Sequence, residues 1–233
     1  MNVLAIDTSN YPLSVAVINE QEIVAEVIIN IKKNHSIRAM PAVESILKEI
    51  NMTPADIDRV VVAKGPGSYT GVRIGVTMAK TLAWTLNIPI VGVSSLAALT
   101  GPGRHFEGAV CPVFDARRGQ AYTALYEYRE NVLTTVKEDT NILMSEWLDE
   151  LANMNKKILF VGQDVSVFWD SIEEKLGDRA IRSSITENYP RASEIGLLGM
   201  NAEPENVHDF VPNYIRLAEA EAKWLERQQS GDE

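Results

Sequence analysis

The chain is poor in the residues that build redox and metal chemistry. It has a single cysteine, Cys111, and three histidines, His35, His105 and His208. One cysteine excludes an internal disulfide, and its apolar neighbours fit a reducing compartment. The histidines lie far apart, and none has another three or four residues on, which excludes a short metal-ligand motif. No apolar run approaches the roughly 20 residues that span a bilayer. Residues 1–7 lack a basic stretch and turn acidic too early for a secretory signal. Positive charge is scarce too: 22 basic residues against 32 acidic give −10 over 233 residues. Such a surface repels phosphate backbones, so nucleic acid is expected only through a partner. A Gly-x-Ser-x-Gly elbow is also missing, which argues against a serine hydrolase. The expectation is a soluble, cytoplasmic protein without a metal or membrane anchor.

What the chain does contain is a long glycine motif, Lys64-Gly65-Pro66-Gly67-Ser68-Tyr69-Thr70-Gly71-Val72-Arg73-Ile74-Gly75. It lies between the apolar run 59–63 and a helical pattern reaching 86. A strand that stops in such a loop and reopens as a helix offers backbone N–H groups to an anion or a close-packed neighbour.

Apolar periodicity sets the surrounding elements. Strands are expected over 3–6, 13–18, 23–29, 60–63 and 88–93. Helices follow from about Ser36, over 69–86, and after Ser94 as a short capped turn. This order, βββαβαβα, recurs in the second half. There, strands fall at 110–114, 121–128, 132–136, 158–161 and 180–185. Helices begin after Ser145 and Asp164 and cover 192–200. The linker Thr100-Gly101-Pro102-Gly103-Arg104 punctuates the two halves, giving lobes 1–101 and 102–233. A terminal helix over 215–229 is positioned to pack back across the junction. Two mixed α/β halves, each opening on a hairpin whose first strand ends in aspartate (Asp7, Asp115), predict a duplicated ribonuclease-H-like fold of the actin and sugar-kinase superfamily.

The glycine loop fails both common phosphate fingerprints. Gly65-x-Gly67-x-x-x-Gly71 has one residue too many for the dinucleotide motif, and no acidic residue occurs over 85–95 to hold a ribose. A P-loop needs lysine after its last glycine, where Val72 stands. Either an actin-like phosphate cradle or a structural turn remains. Asp7, with Thr8 and Ser9 beside it, and Asp115 are placed either to position magnesium or a water, or to cap their hairpin turns. The first turn, Tyr11-Pro12-Leu13, lacks glycine, and Pro12 removes a donor. Arg117 and Arg118 form a cationic point suited to a carboxylate or phosphate, or to internal ion pairs. Asp7, Thr8, Ser9, Asp115, Arg117 and Arg118 are therefore the cofactor-binding candidates.

Together, Ala5-Ile6-Asp7-Thr8-Ser9, the glycine motif, Pro112-Val113-Phe114-Asp115-Ala116-Arg117-Arg118 and Pro212-Asn213-Tyr214-Ile215-Arg216 resemble the TsaB (YeaZ) family over nearly the whole chain. The resemblance implies an accessory subunit for threonylcarbamoyladenosine beside the tRNA anticodon. It would act with the related catalytic subunit TsaD and the ATPase TsaE, self-associate as a homodimer when alone, and have no enzymatic activity of its own. TsaD carries a metal-binding His-x-x-x-His where this chain has Ser95-Leu96-Ala97-Ala98-Leu99, so no metal is implied. No nucleotide cofactor is expected except ATP or ADP at the interface with TsaD.

Small and apolar residues exceed what one buried face needs, so the helix after His35 and the helix over 69–86 are the expected docking elements. Gly65, Gly67, Ser68, Tyr69, Thr70, Gly71, Arg73, Gly75, Ala79 and Met40 are the expected partner contacts. The alternative is a small ATPase or kinase of the actin superfamily, with Gly196-Leu197-Leu198-Gly199 as a partial adenine loop. A peptidase reading requires metal ligands that the chain lacks.

Overall fold

Val3–Asp7 (β1) is apolar at four consecutive positions and buried on both faces, as the central strand of a covered sheet must be. In the computed structural model, which describes residues 1–31 and 34–215, β1 lies at the centre of a five-stranded sheet. Leu13–Ile18 (β2) and Ile23–Ile29 (β3) run antiparallel on one side of it; Arg59–Ala63 (β4) and Ile90–Val93 (β5) run parallel on the other. The spatial order is β3-β2-β1-β4-β5.

The second half repeats this arrangement. Its strands are Ala109–Asp115 (β6), Gln120–Arg129 (β7), Val132–Leu143 (β8), Ile158–Val161 (β9) and Ala180–Arg182 (β10). Their order is β10-β9-β6-β7-β8, with the same pattern of parallel and antiparallel pairs about β6. The duplicated fold expected from the pattern is present.

Ala39–Glu49 (α1) buries Ala39, Val43, Ile46 and Leu47, a helical stripe, on the first sheet. Asn34 caps the short 3-10 turn before it, accepting from Ser36 N at 3.0 Å. Tyr69–Leu86 (α2) starts at Ser68, whose Oγ accepts from Gly71 N at 3.3 Å. It stops at Asn87, whose φ of 53° suits a left-handed C-terminal cap. Met144–Ala152 (α3) and Val165–Leu176 (α4) cover the second sheet, with Trp147, Leu151, Phe168 and Ile172 in its core.

Several boundaries differ from expectation. β8 continues to Leu143 instead of ending at 136, because an edge strand needs only half its residues buried and its polar stretch 137–141 still pairs with β7. The strand runs directly into α3, so Leu143 holds the cap position and Ser145 lies inside the first turn. β10 ends at Arg182. The terminal helix over 215–229 falls almost wholly outside the described residues.

The lobe division at 101/102 separates the sheets, but the cores cross it. Ala192–Gly199 (α5), assigned from sequence to the second lobe, packs on the first sheet with Val3, Ala5, Ala16 and Val61. Reciprocally, Leu96 and Leu99 pack with Val110, Phe114, Tyr126 and Val161 of the second sheet. Each lobe therefore supplies a wall of the other. After α5 the chain returns along β5, where Glu205 pairs with Ile90 and with Lys64, and Phe210 enters the first core. No helix among the described residues is long and apolar enough to cross a membrane.

Candidate functional site

The glycine loop and the β1–β2 turn are built into one another. Ser68 N donates to Ser9 O at 2.7 Å, and Thr8 Oγ1 donates to Gly71 O at 2.7 Å. A Cβ on Gly67 would lie 2.2 Å from Ser9 O, one on Gly71 2.2 Å from Thr8 O, and one on Gly75 2.5 Å from Thr8 Oγ1. These glycines are required by close approach to the turn. Gly65 has a different reason, its φ of 107°. Its N–H donates to Ser95 Oγ at 3.1 Å, and its carbonyl accepts from Ser95 N at 3.0 Å.

Turn and loop pack directly on one another, backbone against backbone. Asp7 is fully buried behind them. Its Oδ1 accepts from Ser9 N at 2.7 Å, while Oδ2 has no hydrogen-bond partner among the described residues. Burial pushes this carboxyl above its ordinary range, against the opposing pull of the Ser9 hydrogen bonds and of His35. Asp7, Thr8 and Ser9 are thus structural.

Across the lobes lies an open cleft of about 540 Å³, walled by Asn10, Ser68, Thr70, Asp115, Arg117 and Asp164. Asp115 and Asp164 meet here: Asp115 N donates to Asp164 Oδ2 at 2.9 Å. Burial raises the Asp164 carboxyl, and the charge of Asp115 raises it further. Asp115 Oδ1 accepts from Arg117 N at 2.8 Å, which makes it a turn cap. The β6–β7 turn takes left-handed conformations at Arg117 (φ 66°), Arg118 (φ 55°) and Gly119 (φ 74°). Arg117 lines the cleft, whereas Arg118 is exposed and does not line it.

The expected docking residues divide. Gly71, Gly75 and Ala79 are buried, so they are not contacts for a partner. Ala79, fully buried, and Ala83 face the first sheet, where small side chains bring α2 close to β4. Tyr69, Thr70 and Arg73 are exposed on α2, as is Met40 on α1. Tyr69 and Arg73 turn to one flank of α2, against residues 207–214, and Thr70 to the cleft.

Ser95 and Leu99, the two positions that the resemblance gives to TsaD's metal-binding histidines, are buried; one clasps the glycine loop and the other fills the second core. The profile described as TsaD, tRNA N6-adenosine threonylcarbamoyltransferase, matches residues 22–224. The chain is 53% identical over 228 residues to the tRNA threonylcarbamoyladenosine biosynthesis protein TsaB of Bacillus subtilis strain 168, covering 98% of this chain and 100% of that one. The chain belongs to the TsaB family.

TsaB is also called YeaZ, and the YeaZ structure from Pseudomonas aeruginosa superposes with a TM-score of 0.75 at 23% identity, covering 91% of this chain and 99% of that one. A ROK hexokinase from Thermus thermophilus aligns at a TM-score of 0.51 and 10% identity, over 86% and 98% of the two chains, a likeness of fold. In this TsaB-family chain the Gly196 and Gly199 pair is not an adenine loop. Added Cβ atoms would lie 2.7 Å from Ile18 Cδ1 and 2.3 Å from Val61 Cγ1, so both serve the packing of α5. Sequence reasoning counted Ile37 with Met40, Val43, Ile46 and Leu47 on one helix face, yet Ile37 is 70% exposed; it passed over Trp84 and Val211, each 65% exposed. Their signal was present as large apolar residues outside the buried stripes.

Proposed function

We propose that this chain is a non-catalytic subunit which, with a TsaD-type catalytic subunit and a TsaE-type ATPase, makes threonylcarbamoyladenosine next to the tRNA anticodon. The observation that carries this reading is the use of Ser95 and Leu99 in packing, at the positions where the catalytic relative is expected to hold its metal. The closed β1–β2 turn supports it, because a phosphate cradle has become a brace for α2.

The partner face on this reading is the outer side of α1 and the turn before it, where Ile37 and Met40 are 70% and 44% exposed. Exposed apolar residues of this kind favour a protein neighbour. A second copy would use the same face, so homodimer and heterodimer compete, and ATP or ADP is accommodated only at the shared interface. Such a complex works in the cytoplasm.

The test is co-expression with the two partner subunits and assay of the modified nucleoside in tRNA. Modification should vanish without this chain. Ile37→Asp and Met40→Asp should each lose capture of the TsaD-type subunit while keeping the parent's melting temperature, because neither side chain is in the core. Unchanged capture by both variants overturns the assigned face. Magnesium-dependent ATP hydrolysis by the isolated chain would instead support an autonomous ATPase.

A further inference from the structure

The far flank of α2 carries a second feature. A groove of about 740 Å³ runs between it and residues 207–214. In a chain of net charge −10, no aspartate or glutamate among the described residues lines it, whereas Arg73, Lys80 and His208 do. Asp209 belongs to the same segment but is not part of the lining.

Its aromatic residues are large and available to solvent: Tyr69 is 44% exposed, Tyr214 41% and Trp84 65%. The Tyr69 and Tyr214 rings stack with centroids 4.9 Å apart and planes at 24°. Arg73 donates to Tyr69 Oη at 3.2 Å, and its guanidinium stands 5.8 Å from the ring centre. Lys80 Nζ donates to the carbonyls of His208 and Phe210, at 2.7 and 3.2 Å, which pins the outer wall and holds an ammonium beside the groove. The surface is therefore preorganised before any ligand arrives.

We propose that this groove receives a single-stranded segment of RNA, with bases stacking on Tyr214 and Trp84 and phosphates near Arg73 and Lys80. Exposed rings interleaved with fixed cations form a base-stacking platform, and every base offers a face to it. From Tyr69 to Trp84 is 15 helical residues, about 22 Å at about 1.5 Å each. That length takes a run of several nucleotides. The name borne by the relatives supplies the substrate class, since it is a tRNA that they help to modify. The inference rests on the function proposed above, and it assigns the RNA a direct contact with this subunit. The overall negative charge keeps the isolated chain a weak binder, so the groove acts on RNA already held by the complex.

The experiment has two arms. In the first, the purified chain is irradiated at low salt with a large excess of single-stranded oligoadenylate, so that weak complexes are trapped, and cross-linked peptides are mapped. Adducts at Tyr214 or Trp84 are expected, and their absence overturns the proposal whatever the function of the complex. In the second, anticodon stem-loop RNA is titrated into the chain assembled with a TsaD-type subunit. Tyr214→Ala and Arg73→Ala should each weaken RNA binding about tenfold, within the range for loss of one stacking partner. Tyr214→Phe should bind like the parent, and Arg73→Ala should flatten the salt dependence. Both alanine variants should still capture the TsaD-type subunit. If they lose that subunit rather than RNA, the groove is a protein-docking surface and the proposal fails. If tRNA is modified without this chain, the function proposed above fails while the cross-linking result stands by itself.

Discussion

Thr8 Oγ1 donates to the carbonyl oxygen of Gly71 at 2.7 Å, a buried bond between residues 63 apart in sequence. It joins the first hairpin turn to the first turn of α2.

That contact leads to the first prediction. Gly71→Ala forces a methyl group against Thr8 O, and Gly67→Ala does the same against Ser9 O, each at 2.2 Å before relaxation. Each should lower stability by about 1–3 kcal/mol through overpacking. Thr8→Val should cost about 0.5–1.5 kcal/mol by removing a buried hydrogen bond, Gly71 O keeping its helical partner. Urea titration followed by circular dichroism reads all three. A Gly67→Ala variant as stable as the parent would show that turn and loop are not tightly joined.

Asp7 gives a pH dependence with a definite sign. Burial raises its folded value above the ordinary 3.8, so the folded chain holds this proton more tightly than the unfolded one. The associated stability is fully present below 3.8 and is lost as pH rises through the folded value. Asp7→Asn keeps an oxygen for Ser9 N and has no proton to lose. Its stability relative to the parent should therefore rise between about pH 4 and neutrality, in melts taken across that range. A difference that stays flat with pH would refute the assignment.

Arg59 ties β4 to the end of α5. Its Nη1 donates to the carbonyls of Gly199, Met200 and Ala202 at 3.0, 2.8 and 2.8 Å. The charge also complements the helix C-terminus. Arg59→Met should cost about 1.5–3 kcal/mol, with Arg59→Lys intermediate, because an ammonium is a more strongly hydrated point charge than the guanidinium it replaces. Hydrogen exchange should show the loss first in residues 195–202. Unaltered protection there would mean that α5 is held by apolar packing alone.

Cys111 should be chemically silent in the folded protein. Burial pushes its thiol up to about 11, while Thr123 and the Trp147 indole N–H, each 3.3 Å from Sγ, pull modestly the other way. Alkylation near neutral pH should proceed only in denaturant, since the thiolate is the reacting form. Mass spectrometry after timed exposure to iodoacetamide provides the measurement. Rapid labelling of native protein would contradict the buried placement.

Much of the architecture was legible beforehand because both halves advertise it locally. Val3–Asp7 and Ala109–Asp115 are apolar runs ending in aspartate, and α1 and α2 show helical spacing of buried residues. The polar stretch of β8 concealed half its length, since pairing with β7 compensates for weak intrinsic strand preference. The candidates Asp7 and Asp115 sit at the two hairpin turns, where the pattern put them. The burial of Asp7 depends on how closely the glycine loop approaches, which no local pattern specifies.

The small residues of α2 show where sequence stops. Gly71, Gly75, Ala79 and Ala83 state that something approaches this helix closely, and that much is local chemistry. Whether the neighbour is a partner or the chain's own sheet depends on the helix's rotation about its axis. The tertiary structure decided for the sheet and left Tyr69, Arg73 and Trp84 outward. The same holds for α5, whose apolar stripe demands burial without naming a sheet. Sequence alone determined the strand order, the duplication and the family. Only the folded chain decided the exchanged walls, the packing of the glycine loop on the first hairpin turn and the basic aromatic groove, because each is a contact between residues tens of positions apart.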